Sequence, residues 1–86
     1  MESRLKVFVI KMNSGEFERV PFISLKVLFE DFDGTSFIDN IEKVKVPIEH
    51  FKEADLRPFI GQIVNVVLLY ERGRFILREI IGKEEN

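Results

Sequence analysis

His50 is the only histidine in the chain and the first residue to consider for catalytic chemistry. Nucleophilic catalysis needs a serine, threonine or cysteine beside a base that a third group orients. The chain has no cysteine, and no serine stands in a pattern typical of a sharp strand-to-helix turn. Glu49 and Glu53 flank His50 in a segment that reads as the surface of a short helix. We therefore expect no catalytic residues and no enzymatic activity.

Three aspartates, Asp31, Asp33 and Asp39, cluster around Gly34 and raise the question of a calcium site. A calcium-binding loop of the EF-hand type requires acidic residues at its first and twelfth positions and glycine at its sixth. With Gly34 as the sixth residue, neither end of the loop is acidic. Aspartate also favours turns, because its side chain bonds to nearby backbone. We predict a hairpin turn at residues 31–34, with no metal site. The isolated glycines do not form a phosphate-binding loop, so no cofactor is expected.

The elements that must position any functional residue read mainly as strands, because apolar and polar residues alternate along much of the chain. Turns are predicted at Asn13-Ser14-Gly15, at residues 31–34 and at Gly73. Pro21 predicts an edge, a bulge or a bend, since proline cannot donate to a strand ladder. Pro47 stands where a helix would begin. In order, the predicted elements are strands at residues 4–12, 17–30 and 37–46, a helix at 47–56, and strands at 63–70 and 75–80.

The order β-β-β-α-β-β resembles the OB-fold, a five-stranded, partly open barrel. The resemblance rests on the long second strand at residues 17–30, the bridge at 47–56 and the run Gly61-Gln-Ile-Val-Asn-Val. We expect a mainly β, five-stranded small barrel, with an SH3-like barrel as the main alternative and an open sheet carrying a helix as the third. The resemblance implies nucleic-acid binding or a place in a replication or transcription assembly, although a fold does not dictate function.

A binding face of the OB type stacks bases on aromatic side chains and holds the backbone with lysine or arginine, along the second and third strands and the flanking loops. The basic candidates for nucleic-acid contact are Lys26, Lys43, Lys45, Arg72 and Arg74. The aromatic candidates are Phe22, Phe37 and Phe75. Acidic residues on or near the same faces are Glu30, Glu42, Glu71 and Glu79. An ordinary mixed-charge surface over core phenylalanines is the alternative interpretation.

The strand at residues 63–70 is apolar on both faces, although a chain this short has one interior to fill. The predicted interior is Leu5, Val7, Val9, Ile23, Leu25, Val27, Phe29, Val44, Val46, Phe51, Val64, Val66, Leu68, Ile76 and Ile80. The apolar residues left on the opposite rows are Phe8, Ile10, Leu28, Val67, Leu69, Phe75 and Leu77. An exposed patch of this kind marks an interaction site, so these residues are the predicted protein interface.

Length and composition predict a single domain over residues 1–86, with a charged, frayed tail at 82–86. The formal net charge of −2 argues against general nucleic-acid binding, which usually relies on a basic excess, but it is compatible with a local basic patch. No apolar run approaches the roughly 20 residues that span a bilayer, and no signal peptide is recognisable. We expect a cytoplasmic protein with no membrane partner. Many charged residues without cysteine also suggest a thermophilic source.

These observations together predict a non-enzymatic binding module that serves as an accessory or structural subunit of a larger intracellular complex. The fold resemblance suggests a complex that handles nucleic acid in DNA replication or transcription. Direct binding of single-stranded nucleic acid is the second hypothesis. A structural homodimer, in which the chain associates with itself, is the third.

Overall fold

A computed structural model describes residues 1–30 and 37–83, with the backbone alone for Glu30 and for residues 37–40. The turn predicted at residues 31–34 and the last three residues of the predicted tail lie outside these ranges. The observed elements are β1 (Glu2–Phe17), β2 (Val20–Glu30), β3 (Phe37–Val46), α1 (Glu53–Leu56), a 3₁₀ turn (Arg57–Phe59), β4 (Ile63–Glu71) and β5 (Arg74–Lys83).

The five strands close into a barrel in the order β1-β2-β3-β5-β4, with β4 paired back to β1. The neighbouring strands are antiparallel except for β3 and β5, which run parallel where Val44 and Lys45 face Phe75 and Ile76. Closure is possible because the long strand β1 pairs with β4 over residues 2–8 and with β2 over residues 7–17. The mainly β, OB-like small barrel predicted from the sequence is confirmed.

The barrel interior is filled by aliphatic side chains from all five strands and by Leu56 of α1. The cavity left among them has a volume of about 20 Å³, which is too small to hold an organic ligand. Most of the predicted interior is confirmed. Ten of its residues are buried in the core, and Leu5, Phe29, Phe51 and Ile80 are partly buried and pack against that core. The buried apolar residues of the described chain are Val7, Val9, Ile23, Leu25, Val27, Val44, Val46, Leu56, Val64, Val66, Leu68 and Leu77.

Strand β5 departs from the predicted pattern, because its pairing with β4 shifts twice. Leu77 lies opposite Leu68, whereas the next paired residue, Glu79, lies opposite Val67, so Arg78 is an extra residue in a β-bulge. A bulge exchanges the two faces of a strand. Leu77 is therefore buried, at 1% exposure, and its predicted place in a surface interface is wrong. Ile76, predicted to be interior, is half-buried on the outer face instead.

The first hairpin turns later than predicted. Residues 13–15 continue β1, and the turn is formed by Glu18 and Arg19, with φ values of 51° and 66°. Positive φ at both central residues defines the two-residue turn whose twist suits a hairpin. The turn predicted at Asn13-Ser14-Gly15 is therefore wrong. Pro21 stands at an edge, as predicted, because β3 pairs with β2 only from Ile23 onward.

The connection between β3 and β4 is helical over a shorter stretch than residues 47–56. The carbonyl of Pro47 accepts hydrogen bonds from the backbone N–H groups of His50 and Phe51, both at 3.2 Å, and so closes a turn. The α-helix begins only at Glu53. The second hairpin turns at Arg72 and Gly73, with φ values of 53° and 75°, which confirms the tight turn predicted at Gly73.

Candidate nucleic-acid-binding face

The outer face of β2 forms the centre of the candidate site. Alternate residues from Ile23 to Val27 are buried in the barrel interior. Because successive side chains of a strand point to opposite sides, Phe22, Ser24 and Lys26 lie on the outer face. These three residues offer an aromatic ring, a hydroxyl and an ammonium group along one line.

Lysines from three neighbouring strands line up across this face. Lys26 is the register partner of Lys11 on β1 and of Lys43 on β3, and we call these three residues the basic row. Like charges directly opposite one another in a sheet are destabilising. No ion pair within the described part of the chain engages any of the three. The row is therefore a local concentration of positive charge on a chain whose net charge is −2.

A second row of cross-strand partners runs parallel to the basic row. Ser24 faces Asn13 on β1 and Lys45 on β3, and Lys45 in turn faces Ile76 on β5. Ser24 is only 3% exposed although it lies on the outer face. Its side chain has no hydrogen-bond partner in residues 1–30 and 37–83. A buried hydroxyl left without a partner costs about 1–3 kcal/mol.

Two phenylalanines from the first hairpin stand at one end of the face. The ring of Phe22, which is 40% exposed, packs over the backbone of its register partner Gly15. Phe17, the last residue of β1, is 72% exposed. Burying such rings is favourable, so an exposed pair beside a groove is suited to stacking against a planar ligand.

The second hairpin completes a groove of about 760 Å³ across β2 and β3. Phe17, Phe22 and Ser24 line it from β1 and β2, and Gly73 and Arg74 come from the hairpin between β4 and β5. The groove continues past Lys45 to an apolar surface that includes Ile48 and Ile76. Rings, cations and a buried hydroxyl are thus brought together from four different strands.

The structure brings together part of the predicted nucleic-acid-binding set. Five of its residues line the groove, and these are Phe22, Lys43, Lys45, Arg74 and Phe75. Lys26 lies next to the groove in the basic row, whereas Arg72 occupies the hairpin turn. The structure does not describe the side chain of Phe37.

Phe75 has a different environment from the one predicted. Its ring centroid lies 4.9 Å from that of Phe29 and 4.9 Å from that of Tyr70. The ring is half-buried and packs against the core, so its main role is structural. Phe17 and Ser24 were not among the predicted contacts. Phe17 is an aromatic residue beside the two-residue turn, and a correct placement of that turn would have identified it.

Acidic residues are fewer in the groove than the sequence predicts. Glu42 lines it. Glu71 is the register partner of Arg74 at the base of the hairpin, and Glu79 is the register partner of Val67 on β4. The side chain of Glu30 lies outside the description. Of the three predicted acidic neighbours whose side chains are described, Glu42 alone lines the groove.

The predicted apolar interface is divided between two parts of the barrel. Val67 and Leu69 are half-buried on the outer face of β4, but charged residues flank them. Arg4 and Glu79 are the register partners of Val67, whereas Leu69 lies between Glu2 on β1 and the half-buried Ile76 on β5. The Arg78 side chain binds Glu2 at 3.1 Å across the same surface. Because Leu77 is buried, the apolar residues that remain on this surface are Val67, Leu69 and Ile76, with charged side chains beside them.

A continuous apolar row lies elsewhere, across four strands. Phe8 faces Ile63 on β4 and Leu28 on β2, and Leu28 faces Ile41 on β3. We call these four residues the apolar row. Phe8, Leu28 and Ile63 are half-buried, while Ile41 is 61% exposed. Ile10, also half-buried, is the extra residue of a bulge in β1 next to this row. Phe8, Ile10 and Leu28 thus lie on the outer surface, as predicted, but away from the expected centre on β4 and β5.

His50, the one catalytic candidate of the sequence, lies outside the groove. His50 is exposed in the turn after β3. Among the described residues, no group of three histidine, aspartate or glutamate side chains is placed to hold a metal ion. Asp31 and Asp33, and the side chain of Asp39, lie outside the description. No helix in the described ranges has the length and apolar character needed to cross a membrane.

Comparison with known proteins leaves the groove as the main guide to function. No protein-family model matches this chain. A search of curated proteins also returned no match.

Proposed function

We propose that this chain is a non-enzymatic binding module that holds single-stranded nucleic acid in the groove across β2 and β3. The observation that carries the proposal is that exposed rings lie in one groove with cations that form no ion pair within the described part of the chain. Phe17 and Phe22 supply the rings, and Lys43, Lys45 and Arg74 supply the charge. Proteins that bind single strands combine these two features, because bases stack and phosphates need neutralising.

The charge arrangement supports an anionic ligand. The basic row places three ammonium groups in neighbouring register positions with no carboxylate paired to them in the described residues. A phosphate backbone lying along the row would relieve this repulsion and release its own counterions. Because the net charge is −2, the attraction is local, and we expect modest affinity that falls steeply with salt.

The exposed rings support a single strand over a duplex. Base stacking on an aromatic side chain contributes about 1–3 kcal/mol per base, as judged by alanine substitution. Bases within a duplex are already stacked on one another and their faces are not accessible. Phe17 and Phe22 therefore favour unpaired bases, whereas a duplex would use the cations alone.

The proposal is tested with a fluorescently labelled single strand of about 12 nucleotides, which lies within the usual OB-fold site sizes. Fluorescence anisotropy is measured over roughly 50–200 mM salt. If Lys26, Lys43, Lys45 and Arg74 each contact one phosphate, log K falls against log salt with a slope of about −3. The matching duplex should bind more weakly. Failure of the wild-type chain to bind the single strand at low salt would refute the proposal.

Two variants assign the binding to the groove. F17A should weaken binding by about fivefold or more without changing the salt slope, because stacking involves no charge. I81A is its matched control, since Ile81 is an exposed apolar residue on β5 away from the groove. Equal losses in F17A and I81A would show that the rings of the groove do not stack on bases.

A second candidate function is that of an accessory subunit held by protein contact, and the apolar row favours it. Apolar side chains that lie side by side on a surface and stay partly exposed are typical of protein interfaces. Ile41, at 61% exposure, is the most accessible residue of the row. Because the row and the basic row occupy adjacent positions on β2 and β3, a partner docked there would lie beside the bound strand.

Light scattering and hydrophobic-dye binding test this second candidate. We expect the wild-type chain either to self-associate or to bind the dye. I41D should lose whichever of these two properties the wild-type chain shows. The control is K45Q, which changes the groove and leaves the apolar row intact. A monomeric wild-type chain that binds no dye would argue against any interface at the apolar row. Self-association that I41D abolishes would assign the row to a homodimer instead of a larger subunit.

A further inference from the structure

Ser24 is a buried polar residue in the lining of the groove. Its side chain has no hydrogen-bond partner within the described part of the chain. Buried polar side chains in native proteins nearly always have a partner, so each exception needs an explanation. An alanine at this position would fill almost the same space without leaving a polar atom unsatisfied.

The neighbours of Ser24 indicate what its partner is. Phe22 precedes it by two residues on the same outer face and supplies a ring for stacking. Lys45 stands opposite it on β3 and supplies a charge for a phosphate. Asn13, opposite it on β1, is a neutral side chain that can both donate and accept hydrogen bonds. Neutral hydrogen-bonding groups that lie between a ring and a cation suit a nucleotide. Its base would stack on the ring, and its phosphate would bind the cation.

We propose that the Ser24 hydroxyl forms a hydrogen bond with the edge of a base in the bound single strand. This inference rests on the proposed function and adds selectivity to it. Contacts to phosphates position a nucleic acid but carry no sequence information, whereas contacts to base edges do. The unpaired bases of a single strand expose the edges that such a contact reads. Ser24 thus gives the groove a preference among bases that Lys43, Lys45 and Arg74 cannot provide.

The test compares the wild-type chain with S24A on single strands of thymine, cytosine or adenine and on an abasic strand of equal length. Wild-type affinity should differ among the three bases. S24A should bind the preferred base about three- to tenfold more weakly, which is the effect of one lost hydrogen bond. Its affinity for the abasic strand and its salt slope should not change, because phosphate contacts remain. S24C, close to serine in size but a weak hydrogen-bond donor, should resemble S24A.

Thermal unfolding of the same variants separates binding from folding. Removing an unsatisfied buried hydroxyl should leave the melting temperature of S24A equal to or above that of the wild-type chain. S14A is the matched control, since Ser14 is an exposed residue of β1 outside the groove lining. It should bind every strand as the wild-type chain does.

Three results would overturn the inference. One is equal affinity of S24A and wild type for every base, and another is an equal loss on the abasic strand. The third is a clear fall in the melting temperature of S24A, because the hydroxyl would then have a partner within the fold. In each of these cases the wild-type chain still binds single strands, so the proposed function survives. Absence of wild-type binding to any strand would refute both.

Discussion

The ring of Phe22 lies directly against the backbone of Gly15. A Cβ atom added to Gly15 would stand 3.3 Å from Cε1 and 3.4 Å from Cζ of that ring. The absence of a side chain at Gly15 therefore lets the ring pack over β1 where it lines the groove. Gly15 was predicted to form a turn, but its structural role is this close approach.

We expect G15A to weaken single-strand binding more than it affects folding. The new methyl group pushes the ring of Phe22 by a few tenths of an ångström, and the half-exposed ring has room to move outward. Stability measured by urea unfolding should change by less than about 1 kcal/mol. Anisotropy should show a loss of about threefold or more in affinity, because the stacking platform moves. Unchanged affinity would mean that the position of Phe22 does not matter for binding.

L77A should destabilise the chain far more than I76A. Leu77 is 1% exposed in the core, so truncation leaves a cavity and should cost about 2–5 kcal/mol. Ile76 is half-buried on the outer face, and I76A should cost about 1 kcal/mol. Urea unfolding of the two variants gives the comparison. A larger loss for I76A would contradict the bulge at Arg78 and restore the alternation predicted from the sequence.

The double variant E18N/R19G should stabilise the first hairpin. Glu18 and Arg19 both have positive φ, a conformation that costs an L-residue with a longer side chain about 1–2 kcal/mol. Asn-Gly is the preferred pair for this two-residue turn. We expect the free energy of unfolding to rise by about 1–2 kcal/mol, as measured in urea. A fall in stability would show that the hairpin does not turn at these residues.

K43Q should affect stability and binding in opposite directions. Removing one charge from the basic row relieves repulsion with Lys26 and should stabilise the fold by about 0.2–1 kcal/mol. The same change removes one phosphate contact and should make the salt slope of binding shallower by about 0.7.

K83Q serves as the control for K43Q, because Lys83 is an exposed lysine at the end of β5, outside the groove. It should alter neither the slope nor the stability beyond error. An equal effect of both variants would indicate a response to net charge, with no localised site.

Much of the architecture is accessible from local patterns. Period-two alternation identifies the five strands, and Gly73 identifies the second hairpin. The face of each strand is harder to assign, because one extra residue exchanges its two sides. The bulge at Arg78 reverses β5, and the one at Ile10 reverses the outer part of β1. No local signal marks either bulge, since the pairing partner decides where the ladder slips.

The candidate site shows the same limit. Lys26, Lys43, Lys45 and Arg74 are identified from their outward positions on the predicted strands and loop. Ser24 is an unremarkable polar residue in a strand until its burial and its neighbours are known. The apolar row likewise cannot be recognised from the sequence, because its four members come from four strands. Register, not composition, decides which side chains meet.

The sequence by itself determined the class of the protein: a short, cysteine-free, strand-rich chain with alternating apolar residues, more apolar surface than one interior uses, and cations on its second and third strands. Only the tertiary structure decided which of those residues are neighbours. Side-chain alternation is a local property of each strand, whereas the grooves and rows of a barrel arise from pairing between strands distant in sequence. Bulges and closure set that pairing, and they placed Ser24 beside Lys45 and Leu77 in the core.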